Sequence, residues 1–209
     1  MRIFFPYKLQ GALIMKTIIL ASNNKNKIKE IGELLGTFSM EVKSLRELGL
    51  GDPEENGKTF EENALIKARY AFEKTKMPSL ADDSGFSIDS LNGFPGLCSA
   101  RFADSVGGHE NAMKILNNCI NRDDRGAYFI TVLAFVYEKN GQVLEKTFEG
   151  KIKGQFTFPT RGTNGFGYCP CFTPIGHDKT FAEMDNFFRC KINHRAIALE
   201  KFCNFLREF

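Results

Sequence analysis

A mixed α/β or α+β fold is what this sequence predicts, and three observations carry the prediction. A short β-branched run leads straight into a helical repeat, a capped amphipathic helix follows, and further on two apolar runs flank an Asn-Gly turn. Thr17–Ala21 is short, apolar and β-branched, which suits a buried strand. The polar stretch after it opens into Ile28, Ile31, Leu34 and Leu35, spaced for one helix face, with Gly36 as a stop. "TFEENALIKARYAFEK" begins with a capping box, Thr59 at the N-cap and Glu62 three residues on, and places Phe60, Ala64, Ala68 and Ala71 along one stripe. Residues 79–82 read as a buried strand that ends in Asp82 and Asp83, followed by Ser84 and Gly85. Adjacent side chains on a strand face opposite ways, so the two acids either straddle the sheet or sit where the strand breaks. The break is expected, because it brings both carboxylates to one ligand. Residues 109–118 form a short helix. Residues 127–137 and 142–149 pair as a hairpin about Asn140-Gly141. The segment 154–175, dense in Gly, Pro and aromatics, is an ordered loop flanking a short strand. A final amphipathic helix from Asn193 carries Ala196, Leu199, Phe202, Cys203 and Leu206.

With 209 residues and 43% hydrophobic content the chain can bury a substantial core, and one globular unit is expected over residues 15–209. Residues 1–14 are set aside as a disordered tail or a mis-assigned start, since Met15-Lys16 immediately precedes the first strand. A net charge of +3 is too weak, unless clustered, to call for a nucleic-acid partner. No segment is long and apolar enough to span a membrane. Six cysteines without a dense framework favour reduced thiols in a cytoplasm.

Four constellations carry chemistry. "SNNKNK" places Ser22, Asn23, Asn24, Lys25, Asn26 and Lys27 between a strand and a helix start, where outward amides, the helix dipole and two ammonium groups suit phosphate; the plainer reading is a solvated basic turn. Lys67 shares a helix side with Asn63 and borders the apolar stripe, either as a snorkelling stem or as a cation beside a phosphate pocket. Glu54, Glu55, Asp82 and Asp83 are hard oxygen donors of the kind Mg²⁺ takes together with substrate phosphates, or else exposed acids and caps. In "GFGYCP" Phe166 and Tyr168 can stack on a planar group, Gly167 allows close approach, and Cys169 follows. Arg189, His194 and Arg195, from "RCKINHR", are directional donors, so a flat, oxygen-bearing ligand fits; ordinary loop packing is the alternative.

Taken in order, "TFEENALIKAR", "ADDSGFSIDSLNGFPGLCSARF", "GFGYCP" and "NHRAIAL" resemble the inosine triphosphate pyrophosphatase family, the dITP/XTP diphosphatases, from about Thr17 to Leu199. The resemblance implies an α/β fold with an elongated mixed sheet, two lobes and a central nucleotide cleft, assembled as a homodimer. It implies a cytoplasmic, Mg²⁺-dependent hydrolase that converts ITP, dITP or XTP to the nucleoside monophosphate and pyrophosphate. By the same resemblance Asp83 binds Mg²⁺ and acts as general base, Glu55 is the second metal-linked acid, and Asp82 supports them. Ser84 touches the nucleotide, while Ser22, Asn24, Lys27 and Lys67 line the triphosphate. Three departures stand out: "SNNKNK" where the family has "TGNxGK", "FGYCP" where it has "FGYDP", and Arg189 and Asn193 where it has lysine and serine. The second puts a thiol, a far weaker acceptor, in place of a carboxylate. A catalytically weakened nucleotide-binding module, or a member with altered base specificity, is the alternative. More distant rivals are a nucleic-acid-binding protein and a zinc protein built on Cys169, Cys171, His177 and Cys190.

Overall fold

Strand β1 (Thr17–Leu20) is hydrogen-bonded in parallel both to β2 (Glu41–Ser44) and to β3 (Ser79–Ile88). Parallel neighbours need crossovers, and helices α1 (Lys25–Gly36) and α2 (Phe60–Thr75) lie within the two connections. The computed structural model describes residues 17–36 and 40–208. The expectation for residues 1–14 lies outside them. Among the described residues no helix is long and apolar enough to cross a membrane.

Strands β5 (Gly126–Lys139) and β6 (Gln142–Phe156) meet at Asn140 and Gly141, whose φ values of 55° and 77° are the two left-handed positions of a tight hairpin turn. Strand β7 (Phe172–Pro174) pairs antiparallel with β6, and the two-residue β4 (Pro95–Gly96) with β3. The sheet order is β2-β1-β3-β5-β6-β7, with β4 off this path, so the mixed sheet expected from the sequence is present.

The chain packs as two compact units. One comprises the described residues up to Asp83, Val132–Phe148, and the described residues from Leu199 onward. Its core gathers Ile19, Ala81 and Val132 with the Ala64, Ala68 and Ala71 stripe of α2. Thr59 caps that helix as expected, its side chain accepting from the Glu62 amide at 3.0 Å. The terminal helix α6 (His194–Glu208) begins at Asn193, whose Oδ1 accepts from the Ala196 amide at 2.8 Å, and brings Phe202 to 5.1 Å from Phe135.

The second unit comprises Ser84–Thr131 and Glu149–Ala198. It holds α3 (Ser99–Ser105), α4 (His109–Cys119) and α5 (Asn186–Ile192). Its core is aromatic: Phe86 lies 5.0 Å from both Phe129 and Tyr168 and 6.1 Å from Phe172. Phe86→Ala is expected to cost about 4 kcal/mol, the scale of deleting a buried ring from a packed core. Urea unfolding followed by circular dichroism measures it; a loss below about 1 kcal/mol would mean the cluster repacks.

Several elements were not legible. Three of the four residues of β2, "EVKS", are polar, and α3 and α5 have seven residues each, too few for periodicity to register. One expectation is overturned. Strand β3 does not break after Asp83 but continues through Ser84 and Gly85 to Ile88, and nine of its ten residues are buried. Buried neighbours hold its small residues in the ladder where local preference alone suggests a turn.

Candidate active site

Because β3 is continuous, Asp82 and Asp83 point to opposite faces of the sheet. Ala81, two positions before Asp83 and on its face, packs in the core with Ala64 and Ala68 of α2. Asp83 therefore meets the same helix, and Lys67 Nζ donates to its Oδ1 at 2.7 Å. The same Nζ donates to Glu55 Oε1 at 3.0 Å, so one buried ammonium gathers two carboxylates. Asp82 is served from the other helix: Lys27 of α1 forms an ion pair with its Oδ1 and donates to its backbone carbonyl at 3.3 Å. Each of the two aspartates thus has its own lysine.

Burial opposes the Lys67 charge, yet Asp83 and then Glu55 outweigh it and hold the ammonium above its ordinary pKa. Burial is also the largest influence on Asp83 and pushes its carboxyl up; the Lys67 and Lys27 charges pull the other way without cancelling it. A carboxylate lifted in this way accepts a proton more readily than an exposed one.

At the start of α1, Asn24 Oδ1 accepts from the amides of Asn26 at 3.0 Å and Lys27 at 3.3 Å, and Ser22 Oγ accepts from the Asn24 amide at 3.2 Å. The first-turn donors are thus capped by the loop's own asparagine, while Lys25 and Asn26 are exposed. Asn63 is buried and accepts from the Gly57 amide at 2.8 Å, fixing the segment that carries Glu55. The expected site residues up to Asp83 all belong to the first unit, where Lys27, Glu55, Asn63, Lys67, Asp82 and Asp83 are brought into these contacts.

The remaining candidates belong to the second unit. Tyr168 is a core residue, stacked on Phe86 and donating its hydroxyl to the Ser99 carbonyl at 2.9 Å. Phe166 is the more open ring, 39% exposed, and Gly167 beside it has φ of 65°. Cys169 and Arg189 are buried. His194 stacks on Phe129 at 5.1 Å, and Arg195 Nη2 lies 3.4 Å from Ser84 Oγ.

A profile of the Ham1 family matches residues 18–205, most of the chain. The chain belongs to the Ham1 family. Among curated proteins this Ham1 chain is 41% identical over 204 residues to a dITP/XTP pyrophosphatase of Agrobacterium fabrum, covering 90% of this chain and 94% of that one. It is 42% identical over 187 residues to a dITP/XTP pyrophosphatase of Haemophilus influenzae, covering 87% and 94%. A HAM1 protein from Coxiella burnetii has a similar structure, with a TM-score of 0.81, 37% identity, and coverage of 93% of this chain and 100% of that one. The family resemblance carried by the four sequence blocks is borne out.

Two residues of the Ham1 chain escaped the sequence reading. Gly57 has its place because a Cβ there would stand 2.6 Å from Asn63 Oδ1, and Asn186 accepts from Arg189 Nη2. No motif marks either, although the two-residue spacing of Gly57 before the capped Thr59 is a visible hint. Among the described residues no three or more His, Cys, Asp or Glu side chains gather as a metal cage, so the cysteine-based zinc alternative is not assembled. The donor chemistry does fit Mg²⁺. Glu55 and Asp83 present hard carboxylate oxygens gathered on the same Lys67 ammonium, at 3.0 and 2.7 Å from its Nζ, and this ion commonly takes one or two carboxylates and completes its shell with phosphate and water.

Proposed function

We propose that this Ham1 chain is a Mg²⁺-dependent nucleoside-triphosphate pyrophosphohydrolase that cleaves ITP, dITP or XTP to the nucleoside monophosphate and pyrophosphate. The observation that carries the reading is the buried Asp83 carboxylate, raised in pKa and fixed at 2.7 Å by a lysine that also holds Glu55. The names of the relatives, dITP/XTP pyrophosphatases, support it. Asp83 orients a water and takes its proton as the water oxygen bonds to the α-phosphorus. The bond from that phosphorus to the bridging oxygen breaks, and pyrophosphate leaves. Glu55 and Asp83 would hold the ion, which supplies positive charge against the phosphate oxygens when bound. Lys67 keeps both carboxylates in register. Lys27, with Asp82 behind it, and Ser22, Asn23, Asn24, Lys25 and Asn26 serve the triphosphate, with charge offset by preorganised donors.

The base is read by Phe166, Gly167, Cys169, Arg189, His194 and Arg195, with Ser84 at the nucleotide, while Tyr168, held in the core by Phe86 and the Ser99 carbonyl, supports the Phe166–Cys169 segment from behind. Guanidinium and imidazole N–H groups donate to a carbonyl at the six-position and find no acceptor in adenine's amino group. The reading includes residues 15–209 acting as one catalytic domain, a homodimer, and a cytoplasmic setting. Six cysteines with no disulfide among the described residues suit a reducing compartment.

A nucleotide panel with magnesium, assayed separately for pyrophosphate and orthophosphate, tests this function. ITP, dITP and XTP are expected to release pyrophosphate, with ATP slower by about tenfold or more, since a site left with unpaired donors rejects the wrong base. Orthophosphate as the first product, or ATP cleaved as fast as ITP, defeats the reading.

A further inference from the structure

Arg189 is 5% exposed, and its charge has an unusual setting. Nη2 donates to Asn186 Oδ1, whereas Nη1 is buried without a hydrogen-bond partner, and among the described residues the guanidinium makes no ion pair. Buried arginines are normally matched by a carboxylate or by several acceptors, because a desolvated charge with an open N–H is costly. The loop at Gly165 that meets Nη1 also meets the Cys169 thiol. A Cβ placed on Gly165, whose φ is 81°, would stand 2.8 Å from Arg189 Nη1 and 3.0 Å from Cys169 Sγ. Glycine is therefore what lets the loop lie against both groups, and Cys169 places no carboxylate there. The half-open Phe166 ring follows Gly165 directly in the chain.

We propose that the open Nη1 of Arg189 makes this chain select purine rings that carry negative charge, so that XTP is preferred to ITP. The proposal rests on the assignment of Cys169 and Arg189 to base recognition. Xanthine carries two carbonyl groups and loses a ring proton near neutral pH, which spreads charge onto its oxygens. Hypoxanthine carries one carbonyl and stays neutral there. Both rings accept a hydrogen bond from Nη1, but only the xanthine anion also discharges a buried cation, and hydrogen bonds between charged groups are about twice as strong as neutral ones. A carboxylate beside the guanidinium would remove the preference by neutralising it in advance.

The test compares kcat/KM for XTP and ITP in the parent protein across the pH range in which xanthine ionises, and repeats the comparison in Cys169→Asp. The ratio cancels any ionisation of the catalytic groups that both substrates share. The XTP/ITP ratio is expected to be near one where xanthine is neutral and to reach about tenfold where it is ionised, the gain of a charge-assisted over a neutral bond. In Cys169→Asp the ratio is expected to stay near one throughout. A parent ratio that is flat with pH overturns the proposal even if Cys169→Asp fails to fold, and pyrophosphate release from both substrates would then leave the proposed function standing. A ratio that rises with pH but is unmoved by Cys169→Asp overturns the role of Arg189. If neither substrate yields pyrophosphate, the proposed function falls and this selectivity with it.

Discussion

Asp83→Asn is expected to lower pyrophosphate release from ITP by about 10³-fold, within the range lost when a general base is removed. The change is nearly isosteric. An amide oxygen still accepts from Lys67 Nζ, which stands 2.7 Å from Asp83 Oδ1 in the parent, and Lys67 keeps its second partner, Glu55. What disappears is the group able to take a proton from water. The pH profile separates this from a packing defect. Asp83 must be ionised to act, and burial raises its pKa, so the acid limb of kcat/KM falls away above the ordinary carboxylate range. Activity rises with pH through that value, and the residual activity of the variant lacks this limb. Initial rates with a coupled pyrophosphate assay, alongside a thermal melt, give the answer. Parental turnover in a folded variant would remove Asp83 from the chemistry.

The second large effect belongs to Lys67→Met. Met keeps most of the stem that passes the alanine stripe but removes the ammonium between two acids, and breaking a buried pair costs about 3 kcal/mol or more. Asp83 then loses its strongest lowering influence, so its pKa climbs further above that of the unfolded chain. The sign follows from linkage: the folded state now holds its proton more tightly than the unfolded state does. The variant is therefore least destabilised below the unfolded carboxylate pKa and loses stability as pH rises through the folded one. Urea unfolding at acid and at neutral pH measures the difference, and the acid limb of activity should move to higher pH with it. Equal stability losses at both pH values would show that Lys67 does not govern the ionisation of Asp83.

Much of this arrangement is legible in the amino-acid sequence. Thr59 and Glu62 announce the start of α2, Asn140-Gly141 the turn between β5 and β6, and Asn193 the cap of the last helix. These signals are local: a cap or a turn is settled by three or four neighbouring residues. Lys67 and Asn63 on one side of a helix are likewise a matter of spacing. The partners of Lys67 are not. Glu55, twelve residues away, and Asp83, sixteen away, converge on it only because β3 runs beside α2 in the packed core. Tyr168 makes the same point in reverse, since a ring free to stack on a ligand in sequence terms is committed to Phe86 and Ser99 in the fold.

By itself, then, the sequence determined the mixed α/β character, the secure helices and hairpin, the family, and the set of residues from which a nucleotide site is drawn. Tertiary structure alone decided that Asp82 and Asp83 are divided between two faces and two lysines, and that Arg189 keeps a buried N–H without a partner. The reason is physical. Whether β3 turns or continues at Ser84-Gly85 depends on ladder partners and burial contributed by distant segments, and a side chain's charge balance depends on what those segments place against it.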